Sequence, residues 1–392
     1  MASPVDTTVK HYRSDMPGAP VLNGVAGSKI GQLDACLVTG YGLKAATSLV
    51  VAGGIATLAF TGDASAAWQD AVILVAGASN ATLNGEQKVL TANTTTVTFA
   101  TAQSDGTDAG TVTFKIAPAG WEKVYSKTNV AVYRSLNTES TKMCLRVDDT
   151  AAQFARVVGY ETMSEVDTGI GAFPTAAQIA GGGYWAKSDV TSAAAVAWIL
   201  ASDGRFFFDS SAPGSHRGIT YQNCFLRGFG DFIPKNPAGD AYLCGLNSSD
   251  SSSTGSAFDG VLDGDSASRT ALARGYTGLG SAVRVARAMY TGSPGITSGR
   301  DSLMGAFPSL IDGSLILSGQ YVSDAGAPRG DVPGLRHCPQ SGVVNTFKML
   351  DTVAHGGRKY IVSSGAANNV TSSPSGVATG ASFIDITGPW RV

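Results

Sequence analysis

Residues 45–118 carry five short runs: Leu49-Val50-Val51, Ile55-Ala56-Thr57-Leu58-Ala59-Phe60, Ala71-Val72-Ile73-Leu74-Val75, and the stretches 94–99 and 111–116. Each is rich in β-branched or aromatic residues, the types that fit a pleated, half-buried surface. Turn formers separate them at Gly53-Gly54, Thr61-Gly62-Asp63, Asn84-Gly85 and 105–110. Thr96, Thr98 and Ala100 alternate with Val97 and Phe99, the period of two that sends alternate side chains to opposite faces of a strand. Short strands at near-regular spacing, with no amphipathic helix between them, predict a small antiparallel, Ig-like β-sandwich. The stretch has no Cys and no His, and Trp68 is its evident anchor. It reads as a spacer or contact module, not as a place for chemistry.

Around this module lies a chain of 392 residues, longer than one core usually serves, so two domains are expected. Charged residues make up 15% of it, against roughly 25% in an average soluble domain. A surface so poor in charge has little to keep copies apart, which points to faces buried against other chains; the composition also suits loop-rich β proteins. A net charge of −2 leaves no electrostatic footprint for nucleic acid. The densest basic group, Arg269, Arg274, Arg284 and Arg287, is diluted by Gly and Ala. The start, Met1-Ala2-Ser3-Pro4-Val5-Asp6, lacks a basic region followed by an apolar core, so no signal peptide is expected. No apolar run approaches the roughly 20 residues of a membrane span. A soluble protein made in a cytoplasm is the expectation.

Before the module, residues 9–25 read as an extended arm, with Pro17 and Pro20 biasing their predecessors away from helix. Ser28 is placed to cap a short helix through Ile30, Leu33, Ala35, Cys36 and Leu37, ended by Gly40 and Gly42. After the module come strands at 130–134, 142–148 and 155–160. The sharpest local signal is a hairpin, 194–200 returning as 205–208 through Ser202-Asp203-Gly204. Residues 229–260 read as irregular, and the serine run 248–253 as a surface loop. Further strands are expected at 281–290, Leu315-Ile316-Leu317, Tyr321-Val322, 347–350, Tyr360-Ile361-Val362 and 383–386.

Signals for chemistry are sparse. His11, His216, His337 and His355 stand in separate contexts without a neighbouring acid, and neither G-x-S-x-G nor H-E-x-x-H occurs. Cys338 adjoins His337, but adjacent residues of an extended chain point to opposite faces. The five cysteines, Cys36, Cys144, Cys224, Cys244 and Cys338, form no C-x-x-C and read as buried thiols. Asp148-Asp149 reads as a strand end and turn. Asp148, Glu161, Asp167, Asp231 and Asp240 are the acids from which a glycosidase would draw two carboxylates; solvated turn acids are the plainer reading. Asp259-Gly260, Asp263-Gly264 and Asp265 lack the closing Glu of a calcium loop. Arg329-Gly330-Asp331 spells an adhesion tripeptide, but Val332-Pro333-Gly334 after it suggests a rigid turn. The aromatics Tyr184-Trp185, Trp198, 206–208, Phe229, Phe232 and Tyr242 read as sheet core, or alternatively as a sugar-stacking or docking surface. No residue is assigned to catalysis, to a cofactor or to a metal.

Outside the module the chain resembles a family of virion structural proteins of tailed bacteriophages. The residues that carry the likeness are Leu22-Asn23-Gly24, Leu33-Asp34-Ala35-Cys36-Leu37-Val38, Gly40-Tyr41-Gly42, Gly120-Trp121 and Leu145-Arg146-Val147-Asp148-Asp149. Gly159-Tyr160-Glu161-Thr162-Met163, Phe173-Pro174, Phe229-Gly230-Asp231 and Gly239-Asp240-Ala241-Tyr242 follow, then 329–335 and the terminal Thr387-Gly388-Pro389-Trp390-Arg391. In similar phage proteins Gly-Tyr-Gly-x-Lys runs almost directly into Ala-Gly-Trp. Here residues 45–118 intervene between Lys44 and Ala119, so they look like an insertion, tolerated where the two joining points lie close on a surface.

The resemblance implies a non-enzymatic particle component of the tail, baseplate or tail tip, present in the virion after assembly in the host cytoplasm. Its expected partners are copies of itself and other virion proteins. The expected architecture is mainly β: a discontinuous body, 1–44 and 119–392, with an Ig-like module inserted at 45–118. The arm, residues 2–25, is expected to lie on a neighbouring subunit, so that deleting residues 2–20 leaves a folded monomer that does not enter particles. The alternatives are a receptor- or glycan-binding tail protein, a head or neck (collar or decoration) component, and a polysaccharide-degrading tail enzyme using Asp231 or Asp240.

Overall fold

The computed structural model describes residues 3–213, 225–236, 242–250, 271–275, 282–290, 305–324, 327–338, 340, 342–364 and 381–391. The chain is mainly β, as expected, with antiparallel pairing throughout its named ladders. The runs expected as strands at 55–60, 71–75, 94–99 and 111–116 form Ile55–Phe60, Val72–Ala76, Thr96–Ala100 and Thr113–Ile116, and Thr96–Ala100 buries Val97 and Phe99 while the alternate positions stay half-exposed.

The module does not confirm an Ig-like sandwich. Six strands, Tyr41–Ala52, Ile55–Phe60, Thr96–Ala100, Gly85–Ala92, Val72–Ala76 and Thr113–Ile116, pair in that order and close on themselves. Closure depends on two strands that change partner midway. Tyr41–Ala52 pairs with Thr113–Ile116 through Tyr41, Lys44 and Ala45, then with Ile55–Phe60 from Ala46 onward, its register shifting at Ala46/Ser48. Gly85–Ala92 does the same between Val72–Ala76 and Thr96–Ala100, shifting at Val89/Thr91. An extra residue in a ladder bends and twists its strand, so two such shifts turn facing sheets into a barrel. Gly85–Ala92 begins Gly-Glu-Gln-Lys, too polar for the sequence reading to register as a strand.

Tyr41 pairs with Ile116, so the chain enters and leaves the barrel side by side, the geometry an insertion needs. The barrel also packs on the body. Lys88 Nζ donates to the carbonyls of Ile386 and Thr387, each at 2.8 Å, and Lys359 pairs with Asp70 at 2.8 Å.

Trp121–Lys127, Val130–Ser135, Cys144–Asp148, Phe154–Tyr160 and Gly183–Ala186 form a five-stranded sheet, the first four consecutive in the chain. The largest sheet runs in the order Lys10–Arg13, Trp198–Ser202, Phe206–Ser211, Phe225–Asp231, Tyr242–Asn247, Ala271–Gly275, Val283–Met289, Ser318–Asp324, Ala327–Cys338, Ala381–Asp385, Arg358–Ser364 and Thr352–His355. Ile233–Pro234 adds beside Ala327–Cys338. The predicted hairpin at Asp203-Gly204 is present, its Asp203 carboxylate accepting from Arg205 N and Phe206 N at 2.9 and 2.7 Å.

The arm differs from expectation. Lys10–Arg13 is an edge strand on Trp198–Ser202 of its own chain, and Val9, Tyr12, Met16 and Leu22 are buried. The sheet edge supplies the partner surface that orders it, so no neighbouring subunit is required.

Three further readings change. Residues 229–260, expected to be irregular, include the end of the strand Phe225–Asp231 and the whole of the strand Tyr242–Asn247. The first carries two glycines, which weakened the strand signal. Gly230 sits at φ 135, and a Cβ there would fall 2.2 Å from the Arg205 carbonyl oxygen, so close backbone approach demands it. Ser248 and Ser249 are buried rather than at the surface, and the rest of the serine run from 251 lies outside the described residues. Leu315-Ile316-Leu317 and 347–350 are apolar because Leu315, Leu317 and Phe347 pack on the cluster around Phe383, not because they pair as strands.

Candidate functional site

The helix Ser28–Leu33 continues as a π-helical turn, Asp34–Thr39, burying Leu33, Cys36 and Leu37. Ser28 is not its cap. Gly27 holds that position, and Ser28 Oγ donates to the Asn23 carbonyl at 2.8 Å. The orphan N–H groups of Lys29 and Ile30 instead donate to Asp149 Oδ2, at 2.7 and 3.3 Å. Asp149 is therefore no solvated turn acid: it is fully buried, and its other oxygen accepts from Lys187 Nζ. Burial pushes the Asp149 carboxyl up against the opposing pull of Lys187, and pushes the Lys187 ammonium down against the pull of Asp149.

On the same helix Lys29 Nζ meets Asp209 Oδ2 at 2.5 Å and Gln32 Oε1 at 2.8 Å, while Gln32 Nε2 donates to Asp209 Oδ1 at 3.0 Å. The two pairs fasten the helix to the five-stranded sheet through Asp149 and to the large sheet through Asp209. Sequence reasoning singled out none of Lys29, Gln32, Lys187 or Asp209. A signal did exist: Lys29 falls at the i, i+4 and i+7 spacing with Leu33 and Cys36, a cation on the apolar face.

The candidate acids are dispersed. Asp148 and Asp167 are brought together on Arg146, at 3.5 and 2.7 Å, and Asp167 also binds Lys127. Asp231 is buried in a cleft of about 220 Å³ with Glu139, Arg205 and Phe232. It accepts from Thr141 N at 2.8 Å and Thr141 Oγ1 at 2.5 Å, and lies 3.7 Å from Arg205 Nε. Burial raises its pKa, opposed by the Thr141 bonds and by Arg391 and Arg205. Glu161 borders the edge hairpin Thr162–Glu165 with Thr168–Ile170. Asp240, His216, Cys224 and the loop 259–265 lie outside the described residues.

His11 is buried in the edge strand, its pKa lowered to about 3 by desolvation and then by Lys88 and Arg13. His337 and Cys338 sit in Ala327–Cys338, with Cys338 in the apolar cluster around Phe383. Cys36, Cys144 and Cys244 are likewise buried free thiols, and desolvation pushes all three up. Val332-Pro333-Gly334 is strand rather than the expected turn, as is Arg329-Gly330-Asp331 before it, with Arg329 on Asp324 at 3.1 Å and Asp331 on Lys235 at 2.7 Å. Trp185, Trp198, Phe206, Phe207, Phe208, Phe229 and Phe232 are all buried, and Phe207 meets Trp121 and Trp185 edge-on. A sugar-stacking surface cannot be built from them.

A cleft of about 570 Å³ opens where arm, barrel and the hairpin Thr352–His355/Arg358–Ser364 meet, lined by Arg13, Trp68, Gln69, Asp70, Thr352 and Lys359. The Arg13 guanidinium lies 5.0 Å from the Trp68 ring and grips Asp15 with two bonds, of 2.9 and 2.7 Å. Lys359 Nζ bonds both oxygens of Asp70. An indole beside pre-oriented polar groups is chemistry suited to a sugar ring. No protein-family model matches this chain, and no curated protein matches it.

Proposed function

We propose that this chain is a non-enzymatic structural component of a tailed-phage particle, in the tail or the baseplate and tail tip, acting through contacts with copies of itself and with other virion proteins. One observation carries the reading: residues bearing the phage resemblance meet at the joints of the body. Asp149 caps the helix that holds Leu33 to Leu37. Arg391 donates to the Asp231 carbonyl at 2.6 Å, and Gly334 lies under the Trp390 indole. Stretches far apart in sequence thus form one framework, with the barrel set between two of them. Asp149, Asp209 and Asp231 are engaged in ion pairs and hydrogen bonds within that framework, which supports a structural role for them.

Mass spectrometry and immunogold labelling of purified particles test the proposal. Stoichiometric presence at one location in the tail supports it. Absence from particles, with a free chain that turns over a polysaccharide, overturns it. Labelling at the head or neck would move the chain to those layers.

The Arg13–Trp68–Lys359 cleft favours a second reading, a tail protein that binds a host-surface glycan. Glycan-array binding that is lost in Trp68→Ala supports that reading, and an array without hits removes it.

A further inference from the structure

The side chains of Lys187 and Asp149 are each 0% exposed, and Lys187 Nζ rests on Asp149 Oδ1. An amine pressed on a carboxyl away from water is the reactant pair of an amide. The main chain holds that contact from both sides. Asp149 N donates to the Asn129 carbonyl at 2.8 Å, and the Asp149 carbonyl accepts from Gly27 N at 3.0 Å. Lys187 N donates to the Gln153 carbonyl at 3.0 Å. Groups fixed in contact react as if at very high concentration.

The surroundings favour condensation. Asp149 Oδ2 accepts from Lys29 N at 2.7 Å and from Ile30 N at 3.3 Å. Both donors are already in place on the oxygen that turns anionic when the carboxyl carbon becomes tetrahedral. The Val25 carbonyl, 2.8 Å from Lys187 Nζ, holds one amine hydrogen while the lone pair turns to that carbon. Burial raises the pKa of the carboxyl and lowers that of the ammonium, both toward the neutral acid and neutral amine that condense.

We propose that Lys187 and Asp149 condense spontaneously in the folded chain to an intramolecular isopeptide bond. A proton passes from the ammonium to Oδ1, and the Nζ lone pair then attacks Cγ, leaving the negative charge on Oδ2 against the N–H groups of Lys29 and Ile30. Collapse of that intermediate breaks the Cγ–Oδ1 bond, and Oδ1 leaves as water with a second proton from Nζ. The amide keeps one N–H, and no oxidant or outside acid is consumed. The bond joins the end of Cys144–Asp148 to the residue after Gly183–Ala186, the strands on either side of Phe154–Tyr160. It closes a covalent loop across the five-stranded sheet and so restricts the unfolded chain as a disulfide does. The pair Lys29–Asp209 differs: a single side-chain amide, Gln32 Nε2 at 3.0 Å from Asp209 Oδ1, stands where Asp149 has two main-chain donors, and that pair stays ionic.

Intact-mass spectrometry of the denatured full chain reads the bond directly. The parent should be lighter than its sequence by one water. Lys187→Arg keeps the cation but offers no amine, and should recover the full sequence mass. Trypsin should cut after Lys29 but leave Lys187 uncut, giving peptide 147–156 joined to peptide 157–205. The branched peptide is read on the parent alone, so the test stands even where Lys187→Arg fails to fold. A parent at full sequence mass without the branched peptide overturns the bond. A lost water that persists in Lys187→Arg, as an aspartyl imide elsewhere in the chain would give, overturns it too.

Discussion

Lys29 and Asp209, 180 residues apart, form an ion pair of 2.5 Å with side chains 0% and 2% exposed. Gln32 completes the geometry by bonding both partners. Desolvating two charges is expensive, and a buried pair holds only because each group has its partner in place. Its value lies less in net stability than in fixing where the helix lands on the sheet.

Removing one partner should therefore hurt more than removing both. Lys29→Met leaves a buried carboxylate and should cost roughly 3–5 kcal/mol, read as a shift in the urea midpoint. Lys29→Met/Asp209→Leu should recover most of that loss. A double variant as unstable as the single would show that the ion pair itself stabilises the fold.

Gly334 has φ +65, and a Cβ there would stand 2.2 Å from Trp390 Cε2. Trp390 cannot easily yield, since its Nε1 donates to the Asp385 carbonyl at 2.9 Å. Gly334→Ala combines backbone strain with overpacking and should lose about 2–4 kcal/mol. A thermal melt of the variant that overlays the parent would refute this.

His11 gives a pH prediction whose sign follows from its lowered pKa. Between its unfolded value near 6.5 and its folded value of about 3, the unfolded chain binds the proton and the folded chain does not. Stability must then fall as pH drops through that window, by several kcal/mol for this one group. Asp149 and Asp231, raised in the fold, act with the opposite sign, so the check is a difference. His11→Phe should flatten the acid limb of stability against pH relative to the parent, and an unchanged slope would count against the assignment.

Deleting residues 2–20 should damage the fold itself. The deletion strips Lys10–Arg13 from the large sheet and uncovers the edge of Trp198–Ser202. It also removes Val9, Tyr12 and Met16 from the core, each worth roughly 1.5–3 kcal/mol of burial. Circular dichroism and solubility give the readout: aggregation or early melting is expected, and a soluble truncation melting like the parent would return the arm to a neighbouring subunit.

Much of the local structure was legible. The hairpin at Asp203-Gly204 and the alternation of Val97 and Phe99 announced themselves because turn chemistry and period-two burial act within a few residues. Strands lost to the reading were polar or glycine-bearing, Gly85–Ala92 and Phe225–Asp231. Their membership depends on partners elsewhere, because a ladder is satisfied by backbone groups whatever the side chains. The aromatics of the middle third were open between core and docking surface, and only packing placed them inside.

The amino-acid sequence on its own determined that this is a β protein and where many of its short strands and turns fall. Tertiary structure alone decided that the strands between Tyr41 and Ile116 close as a barrel, that the arm is a strand of its own sheet, and that Lys29, Asp149, Lys187 and Asp209 lie in the interior. Propensity and periodicity are local quantities, whereas closure of a sheet and burial of a charge are settled by groups distant in the chain, as Tyr41 with Ile116 and Lys29 with Asp209 show.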